Sequence, residues 1–184
     1  MTVRRGSPNV LRVPWTAPEV TPVDEPFVGD ERAMLEGLLD FNRVVLLMRC
    51  AGLTGKDLAR RSVPPSTLSL LGLVRHLTDV ERQWWRRRFA GEAIPRLYAT
   101  DANPDAAFDD ADGEQAQADY ARLLIEQQAA RDAVADLPLD GTYEHSRYGP
   151  MSLRWAYLHM ISEYSGHVAH AALLREAIDG VTFG

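Results

Sequence analysis

The chain has 184 residues, 46% of them hydrophobic and 25% charged, the make-up of a soluble globular protein. This length fits one domain with a substantial core. A net charge of −6 argues against general affinity for nucleic acid, and no apolar run approaches a membrane span. The N-terminus shows no signal-peptide core, and Cys50 is the only cysteine. An internal disulfide is therefore impossible, and a reducing cytoplasm is the expected compartment. A lone Cys in an apolar helix reads as packing, with no neighbour that would activate it.

Residues 1–29 contain Pro8, Pro14, Pro18, Pro22 and Pro26. This spacing forbids a helix and predicts an extended arm that Trp15 and Phe27 could pin to the body. The remainder, 30–184, reads as helical. Asp30 is a good N-cap for a first helix in which Met34, Leu35, Leu38, Phe41, Val45, Leu46 and Met48 recur at helical spacing. It ends near Cys50, with Gly52 and Gly55 as stops. After Pro64-Pro65, Ser66 or Thr67 caps a second helix reaching Arg88 or Ala90, with Leu70, Leu73, Leu77, Val80 and Trp84 as its apolar stripe. Arg86-Arg87-Arg88 reads as a solvated last turn that complements the helix dipole.

Residues 91–111 hold Gly91, Pro95, Pro104 and several Asp without a period, so a long connection is expected there. A third helix covers Gly113 to Ala135, with Tyr120, Leu123, Leu124 and Val134 inward, and stops at Pro138 and Gly141. Thr142–Tyr148 is the one strand candidate. Ser152 caps a fourth helix that runs to about Asp179, with Gly180 following as its C-terminal glycine. Four long amphipathic helices imply an all-α four-helix bundle.

The fourth helix carries the chemistry. At about 100° per residue, with His159 as zero, His170 falls near 20°, Glu163 near 40° and His167 near 80°. Ala156, Met160 and Leu174 lie on or beside that arc, so the face is expected to point into the core. Imidazole and carboxylate are ligands for divalent transition metals, and burying four such groups without a partner is costly. Glu163 and His167, at i and i+4, sit one turn apart and can reach one ion. A third ligand must come from elsewhere. His76, at the edge of the second helix's stripe, is the first candidate, and His145, in a polar stretch, the second. Hydrogen-bonded core histidines are the competing explanation. Asp79 and Glu81 follow His76 at i+3 and i+5, and an exposed salt bridge explains either as well as a place at the site does. Tyr157 and Tyr164 read as packing or pocket wall.

Gly72-Leu73-Val74-Arg75-His76-Leu77, with Val80-Glu81 and Trp84, resembles the second helix of the DinB-like superfamily of metal-binding bundles. Leu153-Arg154-Trp155, His159-Met160-Ile161, Glu163-Tyr164, His167-Val168-Ala169-His170 and the stretch Leu173 to Gly180 resemble the last helix of its mainly actinobacterial branch. Cys50-Ala51-Gly52-Leu53-Thr54 and Pro64-Pro65-Ser66 match that branch as well. The resemblance covers about residues 30–180.

It implies an up-down-down-up bundle with the long connection between helices two and three. It also implies a metal held by His76, Glu163 and His167. Many members carry His where this chain has Glu163, while the mycothiol-dependent maleylpyruvate isomerase uses a carboxylate there. Zinc suits two His and a Glu best, with nickel, manganese and iron open. Several members use mycothiol or bacillithiol. The implied function is a metal-dependent low-molecular-weight-thiol transferase, isomerase, hydrolase or related detoxification enzyme, with mycothiol as a candidate cosubstrate. The implied partners are a small-molecule thiol and an electrophile, with no nucleic acid, no membrane, and a homodimer left open. His170 and His159 are the candidate acid–base residues, with His159 also an alternative ligand. The competing reading is a non-catalytic stress-response or interaction bundle with a structural metal.

Overall fold

A computed structural model describes residues 14–182, so the first part of the expected N-terminal arm lies outside the described residues. The chain is mostly helical, with one small two-stranded sheet.

Helix α1 spans Glu31–Cys50, and the Asp30 carboxylate accepts a hydrogen bond from the Ala33 amide at 2.9 Å. Gly55 was expected to lie in a stop. It instead opens the short helix α2, Gly55–Leu58, because Thr54 and Asp57 form a reciprocal capping box. Helix α3 spans Leu70–Glu81 and starts later than expected. The Ser66 hydroxyl is used in a local turn by the Leu68 amide, so Ser69 becomes the cap and accepts from Gly72. The helix then continues as a π-helical stretch, Arg82–Phe89, rather than as regular α-helix. Its last wide turn is closed by the Ala90 amide donating to the Trp85 carbonyl at 2.9 Å.

The long connection contains a short helix, α4, Ala106–Asp109. Two side chains of α3 tie it down. The Arg75 guanidinium donates to the carbonyls of Ala107 at 2.9 Å and Ala106 at 3.2 Å. The Asp79 carboxylate accepts from the amides of Leu97, Tyr98 and Ala99 at 2.6, 3.1 and 2.8 Å. Asp79 is thus a loop anchor, not the exposed salt bridge expected from sequence.

Helix α5, Ala116–Val134, follows a 3₁₀ turn at Gly113–Gln115. Tyr120, Leu123 and Val134 are buried, but Leu124 is 42% exposed. One residue beyond Leu123 is a rotation of about 100°, enough to turn it out of the core. Thr142–His145 (β1) pairs antiparallel with Gly149–Ser152 (β2), Thr142 opposite Ser152. The expected strand is therefore one arm of a hairpin. Ser152 then caps helix α6, Leu153–Asp179, by accepting from the Trp155 amide at 3.1 Å. Gly180 closes it in the left-handed region, at φ +78°, where a glycine carries no Cβ penalty.

Helix α1 packs on α6 and α3 packs on α5, with α3 also touching α6. Leu39, Leu46, Leu73, Leu77, Leu123 and Met160 fill the space between them. A polar network runs through this core. Arg43 of α1 donates to both Glu81 carboxylate oxygens, at 2.8 and 2.7 Å. The Tyr164 hydroxyl of α6 donates to Glu81 at 2.7 Å and accepts from Gln127 of α5 at 3.1 Å. Glu81 is 0% exposed, so in place of a surface salt bridge it makes a buried one, within a network that joins α1, α3, α5 and α6.

The described part of the arm pairs with the chain after α1. Ala17 donates to Leu53 at 2.9 Å and accepts from Gly52 at 2.8 Å. Trp15 meets Tyr120 edge-on at 5.9 Å between ring centroids. Trp15 therefore pins the arm, whereas Phe27 is 81% exposed and does not. No helix among the described residues is long and apolar enough to cross a membrane.

Candidate metal centre

His76 projects from the edge of α3, and Glu163 and His167 project from successive turns of α6. The Nε2 atom of His76 lies 3.1 Å from Glu163 Oε1, and His167 Nε2 lies 3.3 Å from the same oxygen. The two imidazoles meet at 4.8 Å and 69°. One ligand atom from each residue falls within 4.8 Å of the other two. Donors bound to one tetrahedral zinc stand about 3.3–3.4 Å apart, so the two short separations match edges of such a polyhedron. Hydrogen bonds from His167 and then His76 hold the Glu163 carboxyl well below the usual carboxylate range. It is therefore an anionic acceptor facing two nitrogens, the donor set a divalent ion requires. His167 Nδ1 is buried without a hydrogen-bond partner.

The connection between α3 and α5 supplies a support for this site that no pattern in the sequence signalled. Phe108 of α4 stacks on the His76 ring at 5.3 Å and 29°. Gly72, one turn before His76, makes room for it. A Cβ at Gly72 would lie 2.7 Å from Phe108 Cδ1.

A family model described as mycothiol-S-transferase matches residues 34–180. The chain belongs to the mycothiol-S-transferase family. This agrees with the DinB-like resemblance of α3 and α6. Comparison with curated proteins and with solved structures gave no match.

In this mycothiol-S-transferase family member, the other candidate residues take different places. His170 is exposed, its ring 5.6 Å from that of His167, at the outer rim of the trio. His159 lies one turn before Glu163, but its ring is held between Trp84, at 4.7 Å, and Trp155, at 5.1 Å and 4°. Burial lowers its pKa, against the opposing pull of Glu163. His145 sits on β1, where its Nδ1 accepts from the Arg147 amide at 3.1 Å and its ring packs on Tyr148.

The histidine face of α6 does not point into the core as expected. Ala156, Tyr157, Met160, Tyr164, Ala171 and Leu174 form the buried line, as Ala156, Met160 and Leu174 should. Glu163 and His167 flank it, half-buried. The polar line is offset because burying all four groups would leave several without partners.

The arginine run is not a plain solvated turn either. Arg86 bonds Glu92 and Glu126, and Arg82 donates to Glu126 at 2.6 Å. Arg88 lies over the Trp84 ring at 3.9 Å. Cys50 is fully buried, and burial pushes its thiol up to about 12, so it offers no nucleophile.

Proposed function

We propose that this chain is a metal-dependent enzyme that activates a low-molecular-weight thiol of the mycothiol class and transfers it to an electrophile. The observation that carries the reading is the convergence of His76, Glu163 and His167 on one point at a half-open surface. These residues are the proposed ligands, and zinc is the favoured ion on the chemistry of the set. When bound, the ion supplies positive charge that favours thiolate over thiol near neutral pH.

The protein's own groups do the rest. Glu163 contributes negative charge between the two imidazoles. Phe108 fixes the His76 ring, and the buried Glu81–Arg43–Tyr164 network fixes α6 against α3. His170, at the rim beside His167, accepts the thiol proton. The sulfur electron pair forms the S–C bond, and the leaving group departs with the pair of the bond it breaks.

The partial exposure of the trio, whose side chains are 29%, 27% and 18% exposed, supports catalysis over a purely structural ion, which would be sealed by a fourth side chain. For the chain course we propose an up-down-down-up four-helix arrangement, supported by the α1–α6 and α3–α5 packing and the long connection after α3.

Cobalt-substituted protein tests the function. Addition of mycothiol should produce an intense sulfur-to-cobalt charge-transfer band. An unchanged spectrum, in protein shown to hold cobalt, would defeat the thiol step and favour the structural ion.

A further inference from the structure

The outward face of α6 is apolar. Leu158, Ser162, Ser165, Gly166, Ala169 and Leu173 are all exposed, Leu158 by 54% and Leu173 by 56%. At about 100° per residue they share a single stripe about 100° wide. No charged residue lies on this stripe between Arg154 and Glu176. A surface helix ordinarily turns its charged residues to solvent, so this face is the opposite of what water selects. Gly166 has no purpose inside the chain either. A Cβ there would meet nothing within 4 Å, and glycine is a poor helix former.

The adjoining face of α1 is of the same kind. The sequence places an apolar stripe on this helix, yet Leu38, Phe41, Val45 and Met48 are only partly buried, and none packs against the core. The two helices run parallel. Arg154 donates to Glu31 near their starts, and Arg175 donates to the Arg49 and Ala51 carbonyls near their ends. Midway, the Ser165 hydroxyl donates to Asn42 Oδ1 at 3.0 Å. Leu38 and Val45 stand one turn before and after Asn42, so the two stripes adjoin as one surface.

Both stripes are palindromic about that level. On α6, Leu158 and Leu173, Ser162 and Ala169, and Ser165 and Gly166 are equidistant from the point between Ser165 and Gly166. On α1, Leu38 and Val45 are equidistant from the point between Phe41 and Asn42. A two-fold axis through these two points, perpendicular to the helices, sets large residues against large and small against small. Leu158 then faces Leu173 of a second copy, and the small residues at the centre let the two α6 backbones approach closely, which gives Gly166 its purpose. Antiparallel order also sets Glu176 near the Arg154 end of the other copy, whereas parallel order would oppose two Glu176 side chains. Two helices about 30 Å long and about 10 Å wide present about 600 Å² in outline, and more as accessible surface. That is comparable to the roughly 800 Å² per partner of a specific interface.

We propose that a second copy of this chain docks on the α1–α6 face about a two-fold axis, with α6 antiparallel to its counterpart. The trio lies on the flank of α6 that faces α3, outside the pairing, so the inference does not depend on the thiol-transfer reading.

Light scattering of the full chain after size-exclusion chromatography, at micromolar concentration, tests the pairing. The unaltered protein should run as a dimer. Leu173→Glu and Leu158→Lys should each run as a monomer with an unchanged helical circular dichroism spectrum, because each places a charge on an apolar surface that is exposed in the single chain. The double variant, Leu158→Lys with Leu173→Glu, should restore the dimer, since each lysine then meets the glutamate of the other copy. Gly166→Leu has room in the single chain and should weaken the dimer about tenfold by blocking the close approach. A monomeric unaltered protein would overturn the proposal and leave the face to a different protein. A dimer that survives Leu173→Glu would overturn it as well. So would a double variant that stays monomeric, because parallel pairing sets lysine against lysine and glutamate against glutamate.

Discussion

His76 and Glu163 are 87 positions apart in the chain, yet Nε2 of one and Oε1 of the other meet at 3.1 Å across the α3–α6 interface. His167 joins the same oxygen at 3.3 Å, so a single carboxylate is shared by two imidazoles from different helices. That relationship makes the site a candidate metal centre.

The first expectation concerns the ligands. Purified protein should carry about one transition metal per chain, with zinc favoured. His167→Ala should abolish tight binding, and His145→Ala should leave it intact, because His145 is engaged on the hairpin with Arg147 and Tyr148. Elemental analysis of both variants after incubation with zinc, nickel and manganese decides the matter. Equal retention would mean that the ligand set is wrong.

The second concerns the buried network. Arg43→Leu leaves Glu81 at 0% exposure without its cation. Removing one partner of such a pair costs about 3–5 kcal/mol. Replacing both, as Arg43→Met with Glu81→Leu, should cost clearly less. Urea denaturation of the single and double variants measures the difference, and equal losses would argue against a coupled pair.

The third concerns the support beneath His76. Gly72→Ala places a Cβ 2.7 Å from Phe108 Cδ1 and should push α4 off the imidazole. Overpacking of this kind costs about 1–3 kcal/mol, and metal affinity should fall with it. Phe108→Ala should also weaken metal binding, by removing the ring without inserting bulk. Metal titration of both variants would expose a purely structural role, since affinity would then stay constant.

The fourth concerns Cys50. Burial holds its thiol protonated up to about pH 12, so the native protein should resist alkylation at neutral pH. Iodoacetamide labelling followed by mass spectrometry should show rapid modification only after denaturation. Cys50→Ala should retain thiol transfer, and loss of activity in a folded Cys50→Ala variant would implicate the residue directly.

The sequence alone determined the helical periods, several boundaries and the polar line of the last helix. Asp30, Ser152 and Gly180 act where local chemistry said they would, since capping and left-handed glycine depend on only a few neighbouring residues. Glu163 and His167 share a face because helical geometry dictates it, and His76 stood out at the edge of its stripe. Tertiary structure decided what those residues meet. It separated His159 from the trio by stacking it on Trp155 and tilting it against Trp84 of the opposing helix, and it brought Phe108 from the long connection onto His76. It also buried Glu81 against Arg43, where the sequence suggested a surface pair. The π-helical turn after Glu81 shifts the register of Trp84 and Arg88, and no local propensity announced it. These outcomes depend on contacts between residues distant in the chain, whose energies no helical period encodes.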